Sequence, residues 1–188
     1  MSRLTLAAAA VALLAAAPAN ATMAEALSVD ALASRADRIV EGRVLEIRSQ
    51  WEGRLIVSDI VVGVDRCYKG ACYEPALVVR VMGGAVGDLE QRVEGMASFS
   101  LDEPVLLFLR PDGSPDRMRT LGLAQGKFRL VPTGEGVEAV REARHMTLVG
   151  PGADQAEALE HVRLDVLVAL VDRALDDAAM PELDVPPR

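Results

Sequence analysis

From Ile39 to Asp65 apolar and polar residues alternate for most of the way, the period of a half-buried strand rather than a helix. Val40, Gly42 and Val44 alternate with Glu41 and Arg43, and then Leu45 and Ile47 alternate with Glu46 and Arg48. The apolar phase therefore slips by one residue between Val44 and Leu45. Such a slip predicts a β-bulge, which bends a strand around a curved sheet. Ser49 to Arg54 (SQWEGR) reads as a turn, with Trp51, the single tryptophan, folding back to cap the core rather than stacking on a ligand. The next strand is expected over Leu55–Asp65, with Ile56, Ile60, Val62 and Val64 on one face.

Short strands continue down the chain. Leu77, Val79 and Val81 predict a third, ended by Gly83-Gly84. Residues 83–103 carry no sustained period and read as a long loop. VLLFLR at 105–110 is apolar on both faces, so it is predicted to be the most buried strand. PDGSPDR at 111–117 is a turn signal, and GKFRLVP and GVEAVRE form two strands around the Thr133–Gly136 turn. Before the strands, residues 22–37 hold a short helix with Ser28 as its N-cap. After the Pro151-Gly152 break, residues 154–177 predict one amphipathic helix with Leu167, Leu170, Val171 and Leu175 on a single stripe packed onto the sheet. The PELDVPPR end is expected to be disordered. The fold class is thus mainly β: a small antiparallel OB-like barrel of five to six strands at 38–145, entered by the 22–37 helix and followed by a helical tail at 146–188.

The first 21 residues read as a signal peptide. Arg3 precedes an apolar run from Leu4 to Ala17, Pro18 breaks it, and Ala19-Asn20-Ala21 offers the small residues a signal peptidase accepts. Cleavage leaves an exported chain starting at Thr22, soluble in the periplasm or outside the cell, with no later segment apolar and long enough to span. Loss of Arg3 takes the formal charge from −8 to −9. With no basic stripe and interleaved aromatics, that acidity speaks against nucleic-acid binding. In an oxidising compartment the two cysteines, Cys67 and Cys72, are expected to pair as a structural clip, Gly70 allowing the tight reversal between them. Their four-residue spacer is not that of a thioredoxin-type redox pair.

The stretch Ala36-Asp37-Arg38-Ile39-Val40-Glu41-Gly42-Arg43-Val44 resembles the opening strand of the netrin-like domain, the OB-type barrel of tissue inhibitors of metalloproteinases. Lys69-Gly70 is similar to that family's turn after the second strand, and Gly84-Ala85-Val86-Gly87 followed by Val105-Leu106-Leu107 is similar to its glycine loop and next strand. The layout, with Gln125-Gly126-Lys127-Phe128, also resembles that of uncharacterised exported bacterial proteins. The resemblance covers residues 34–131 and implies the fold. It does not carry the inhibitory mechanism, which uses an N-terminal cysteine: here no cysteine precedes Cys67.

Catalytic patterns are sparse. His145 and His161 are the only histidines, neither lies in H-E-x-x-H, and no spacing suits zinc. Ser98, in GMASF, lacks the second glycine of a nucleophile elbow. GGAVG matches neither the P-loop nor the dinucleotide fingerprint, so Gly83, Gly84 and Gly87 are read as supplying positive φ in a tight loop. That loop, with Met96 and Phe99, is the expected binding surface. The functional expectation is a non-catalytic extracytoplasmic module, without cofactor or metal, whose partner is a protein or envelope component. The alternatives are an exported hydrolase with a dispersed site, and an envelope assembly factor docking through its C-terminal helix.

Overall fold

The computed structural model describes residues 22–114, 116–143 and 146–179, so the 1–21 leader, His145 and the PELDVPPR end lie outside the described residues. The protein is mainly β, with three α-helices and a large mixed sheet among the described residues. The chain opens with β1 (Thr22–Glu25) and α1 (Val29–Arg35), where the Ser28 hydroxyl accepts from the Ala31 N–H at 3.1 Å as the expected cap. The alternating region then forms β2 (Arg38–Glu52) and β3 (Leu55–Lys69), a long antiparallel hairpin. Its register shifts between Val44 and Glu46, where the bulge is expected, and also at Ile39/Val40 and Glu41/Gly42. At the second of these a Cβ on Gly42 would collide with the Gly63 carbonyl, so the two strands meet there only because position 42 is glycine.

The hairpin runs further than the sequence suggests. Only Gly53 and Arg54 lie outside the ladder, and Trp51 pairs with Ile56 on the strand, 50% exposed. It does not cap the core. Cross-strand hydrogen bonding carried the pairing past polar residues that read as turn formers.

There follow β4 (Ala76–Met82), a small hairpin of β5 (Gly84–Val86) and β6 (Leu89–Gln91), then β7 (Pro104–Pro111) and β8 (Arg117–Thr120). A 3₁₀ turn (Leu123–Gly126) leads into β9 (Lys127–Thr133) and β10 (Gly136–Arg141). The β5–β6 hairpin corrects the reading of 83–103 as plain loop: three-residue strands with no buried residue leave no burial period to detect. Pairing runs β12-β10-β9-β7-β2-β3-β4-β8, and β8 pairs again with β7, where β12 is His161–Arg163. The β4–β8 pairing is parallel, so the sheet is mixed and not antiparallel throughout. The sequence signal of β8 is weak: RMRT offers only Met118 and Thr120 to the interior.

β7 explains its own composition. Val105, Leu107 and Leu109 enter one core with Val40, Val44, Ile60, Val62 and Val79. Leu106 and Phe108 point the other way, into a second core with Leu32, Phe128 and Leu167. One strand shared by two cores must be apolar on both faces.

The tail departs from the expectation of one helix at 154–177. It forms β11 (Met146–Val149), which pairs in parallel with β1, then α2 (Ala153–Ala158), β12 and α3 (Leu164–Ala179). Helix gives way to strand at 161–163 because that segment pairs along the open edge of β10, Val162 opposite Ala139. Leu167 and Val171 are buried against α1 and the second core, with Leu170 and Leu175 packed beside them. The apolar stripe is therefore turned towards the molecule, with Leu167 and Val171 buried, Leu170 and Leu175 half-buried, and Val166 exposed beside it.

Cys67 and Cys72 form the disulfide, joining the end of β3 to the turn before β4. Between them Lys69 donates to the Ala33 and Ser34 carbonyls at 2.7 and 3.1 Å, filling acceptors left open at the C-terminal end of α1. No helix among the described residues is long and apolar enough to cross a membrane.

Candidate functional site

The 83–103 segment stands over the outer half of the β2–β3 hairpin and encloses a groove of about 950 Å³. Gly83, Gly84, Met96 and Phe99 all line it, so the structure gathers four of the five residues picked out for this surface. Gly87 is at the tip of the β5–β6 turn and does not line the groove. All three glycines have positive φ, at 99°, 135° and 60°.

The root of the segment is pinned to β3. The Gly83 N–H donates to the Ile56 carbonyl at 2.8 Å, and the Gln91 side chain accepts from the Ile56 N–H at 2.6 Å. Ser58 donates to the Gly83 carbonyl at 2.7 Å, which leaves Ser49 to donate to Ser58 at 2.8 Å. A Cβ on Gly84 would collide with both hydroxyls, so glycine is required there by contact as well as by φ. Ile47, Ile60, Val81 and Met82 add an apolar wall, and Arg129 and Glu142, paired at 3.0 Å, close one side.

The far end of the segment is held by a buried ion pair. Lys127 and Glu103 are 3% and 7% exposed, and their charged atoms lie 2.7 Å apart. Lys127 also donates to the Ser98 carbonyl and stands 4.8 Å over the Phe99 ring. Glu103 accepts from the Ser100 N–H at 2.9 Å, and Arg129 approaches it at 3.9 Å. Burial of two charges is tolerable because each is matched by the other and by further donors or acceptors. One lysine thus ties the 98–103 backbone to β9 and fixes the groove wall carrying Phe99.

No protein-family model, curated protein or solved structure matches this chain. The groove must therefore be interpreted from its own chemistry. Its lining mixes apolar side chains with paired charges and hydroxyls that are already hydrogen-bonded to the protein. That suits recognition of a partner surface with an apolar centre and a polar rim.

The remaining candidates lie elsewhere. His161 is on the exposed edge strand β12, with Nδ1 3.3 Å from a Glu138 oxygen, and it does not line the groove. Ser98 does line the groove, with its carbonyl committed to Lys127. Among the described residues no three of His, Cys, Asp and Glu gather as a metal site. Ser49, Ser58, Glu103 and Arg129 carry no site signal in the sequence and Ile47 shows only its strand alternation, although Lys127 lies in the Gln125–Phe128 motif. Their signal was positional: Ile47, Ser49, Ser58 and Arg129 sit on strands, and Glu103 just before one, whose register had to be known before they could be placed together.

Proposed function

We propose that this chain is a non-catalytic binding module, exported by its leader, that captures a protein or envelope component in the groove under residues 83–103. The observation that carries this reading is the groove, built on a segment fixed at both ends, by Ile56 and by Lys127. Pre-organisation of this kind lowers the ordering cost of association. Ile47 and Met82 expose 37% and 45% of their surface there, apolar area that a partner would cover. The Cys67–Cys72 bridge fits an oxidising compartment. Our reading of the strand cycle β2–β3–β4–β8–β7 as a small closed OB-like barrel is supported by the return of β8 to β7, and it accords with the netrin-like resemblance.

The test is affinity capture from the envelope fraction with the processed protein and with Ile47→Asp and Met82→Asp. Both positions are exposed, so the variants keep the fold. A charge placed in an apolar contact should lower recovery of the partner at least about tenfold, the equivalent of 1.4 kcal/mol. Equal recovery by all three proteins would sink the groove as the binding site.

A further inference from the structure

Arg141, the last residue of β10, is 1% exposed, and its Nε and both terminal nitrogens are buried without a hydrogen-bond partner among the described residues. Its guanidinium lies 5.2 Å from the Phe128 ring centroid, on the side of the ladder that faces the second core. A guanidinium carries five donors, and leaving them unmatched in an apolar layer is among the most costly arrangements a folded chain can keep. The other buried polar side chain at the start of this wing shows what satisfaction looks like: Gln125 accepts from the Leu27 N–H at 2.8 Å and donates to the Glu25 carbonyl at 2.9 Å.

Among the described residues, one acid acts on the guanidinium. Glu160 follows α2, and its backbone carbonyl accepts the Arg141 N–H at 2.9 Å, but its own side chain is exposed. Glu160 acts on the guanidinium only through space. With a ring covering one face, the groups left are the in-plane N–H donors, and their fork matches the two oxygens of an oxyanion.

We propose that Arg141 anchors a binding site for the oxyanion of a small ligand, a carboxylate or a phosphate, on the Phe128 side of the β9–β10 ladder. This site is separate from the groove, whose lining includes neither Arg141 nor Phe128.

Thermal unfolding of the protein and of Arg141→Met in sodium chloride, acetate and phosphate at matched ionic strength tests the idea. The expected result is a saturable rise in Tm of the unaltered protein, beyond the chloride value, that Arg141→Met lacks. Subtracting the variant removes the general stabilisation that phosphate gives any protein. A response to acetate alone assigns a carboxylate, and one to phosphate alone assigns a phosphoryl group. A second measurement needs no variant: the Arg141 Nε–H resonance should shift saturably with the same anion. An unmoved resonance and equal Tm values in all three salts would overturn the proposal. So would a resonance that responds only to Glu160→Gln, since the guanidinium would then be paired within the chain.

Discussion

Lys127 and Arg141 lie one register step apart on the β9–β10 ladder, Arg141 standing opposite Phe128, and both are almost wholly buried. Each also rests on an aromatic ring, Phe99 for the lysine and Phe128 for the arginine. Only the lysine has an acid and a carbonyl in reach. The same ladder therefore holds one buried cation whose charge is matched and one whose charge is not. A matched buried charge fixes a neighbouring segment in place, here 98–103. An unmatched one weakens the fold until an anion meets it.

The largest effect expected of this comparison follows from converting the first cation into the second. Glu103→Ala leaves Lys127 buried without its carboxylate, a change that costs about 3–5 kcal/mol. Urea denaturation should show that loss, together with faster amide exchange across 96–103. The double variant Lys127→Met/Glu103→Leu should recover most of the stability, because removing both charges removes the mismatch. If the double variant is as unstable as Glu103→Ala, the pair is not what holds the segment.

The pair also shows what was readable beforehand and what was not. Strand positions with a clean apolar period were legible: Ile56, Ile60, Val62, Leu77, Val79 and the β7 run all lie in the cores, and the bulge after Val44 is where the phase slip puts it. Ser28 and the Cys67–Cys72 clip were legible because each depends on near neighbours in sequence. Pairings across long separations were not. Glu103 meets Lys127 across 24 residues, and Gln125 meets Leu27 across 98. Nothing local marks SLDE or QGKF as two halves of one buried contact. The 161–163 strand failed for the same reason, since a distant edge supplied hydrogen bonds that outweighed helical spacing.

Next in size is Arg141→Met. Burial pushes the Arg141 guanidinium down to about 10 from its usual, higher value, against a smaller opposing pull from Glu160. The unfolded chain holds its proton up to the usual, higher value, so the penalty is fully present below pH 10 and fades as pH rises from there. A depression of this size amounts to roughly 3 kcal/mol. In chloride at neutral pH, Arg141→Met should therefore unfold at higher urea than the unaltered protein. The advantage should narrow above pH 10. A variant less stable than the parent in chloride would mean the guanidinium is already matched inside the molecule, reversing this half of the comparison.

The smallest expected effects concern the rings. Phe99→Leu takes the aromatic face from a buried lysine that keeps its carboxylate and carbonyl, so the loss should be about 1–2 kcal/mol, between the exposed and the desolvated limits of a cation–π contact. Phe128 is fully buried and is the ring that stands against the Arg141 cation, so Phe128→Leu adds a packing loss to a larger electrostatic one. The packing part can be removed by repeating each change in a background where the cation is already methionine. The coupling energy from such a cycle should be larger for Phe128 with Arg141 than for Phe99 with Lys127. Equal couplings would show that the ring beneath Arg141 does no more than the ring beneath Lys127, and that burial alone sets the two cations apart.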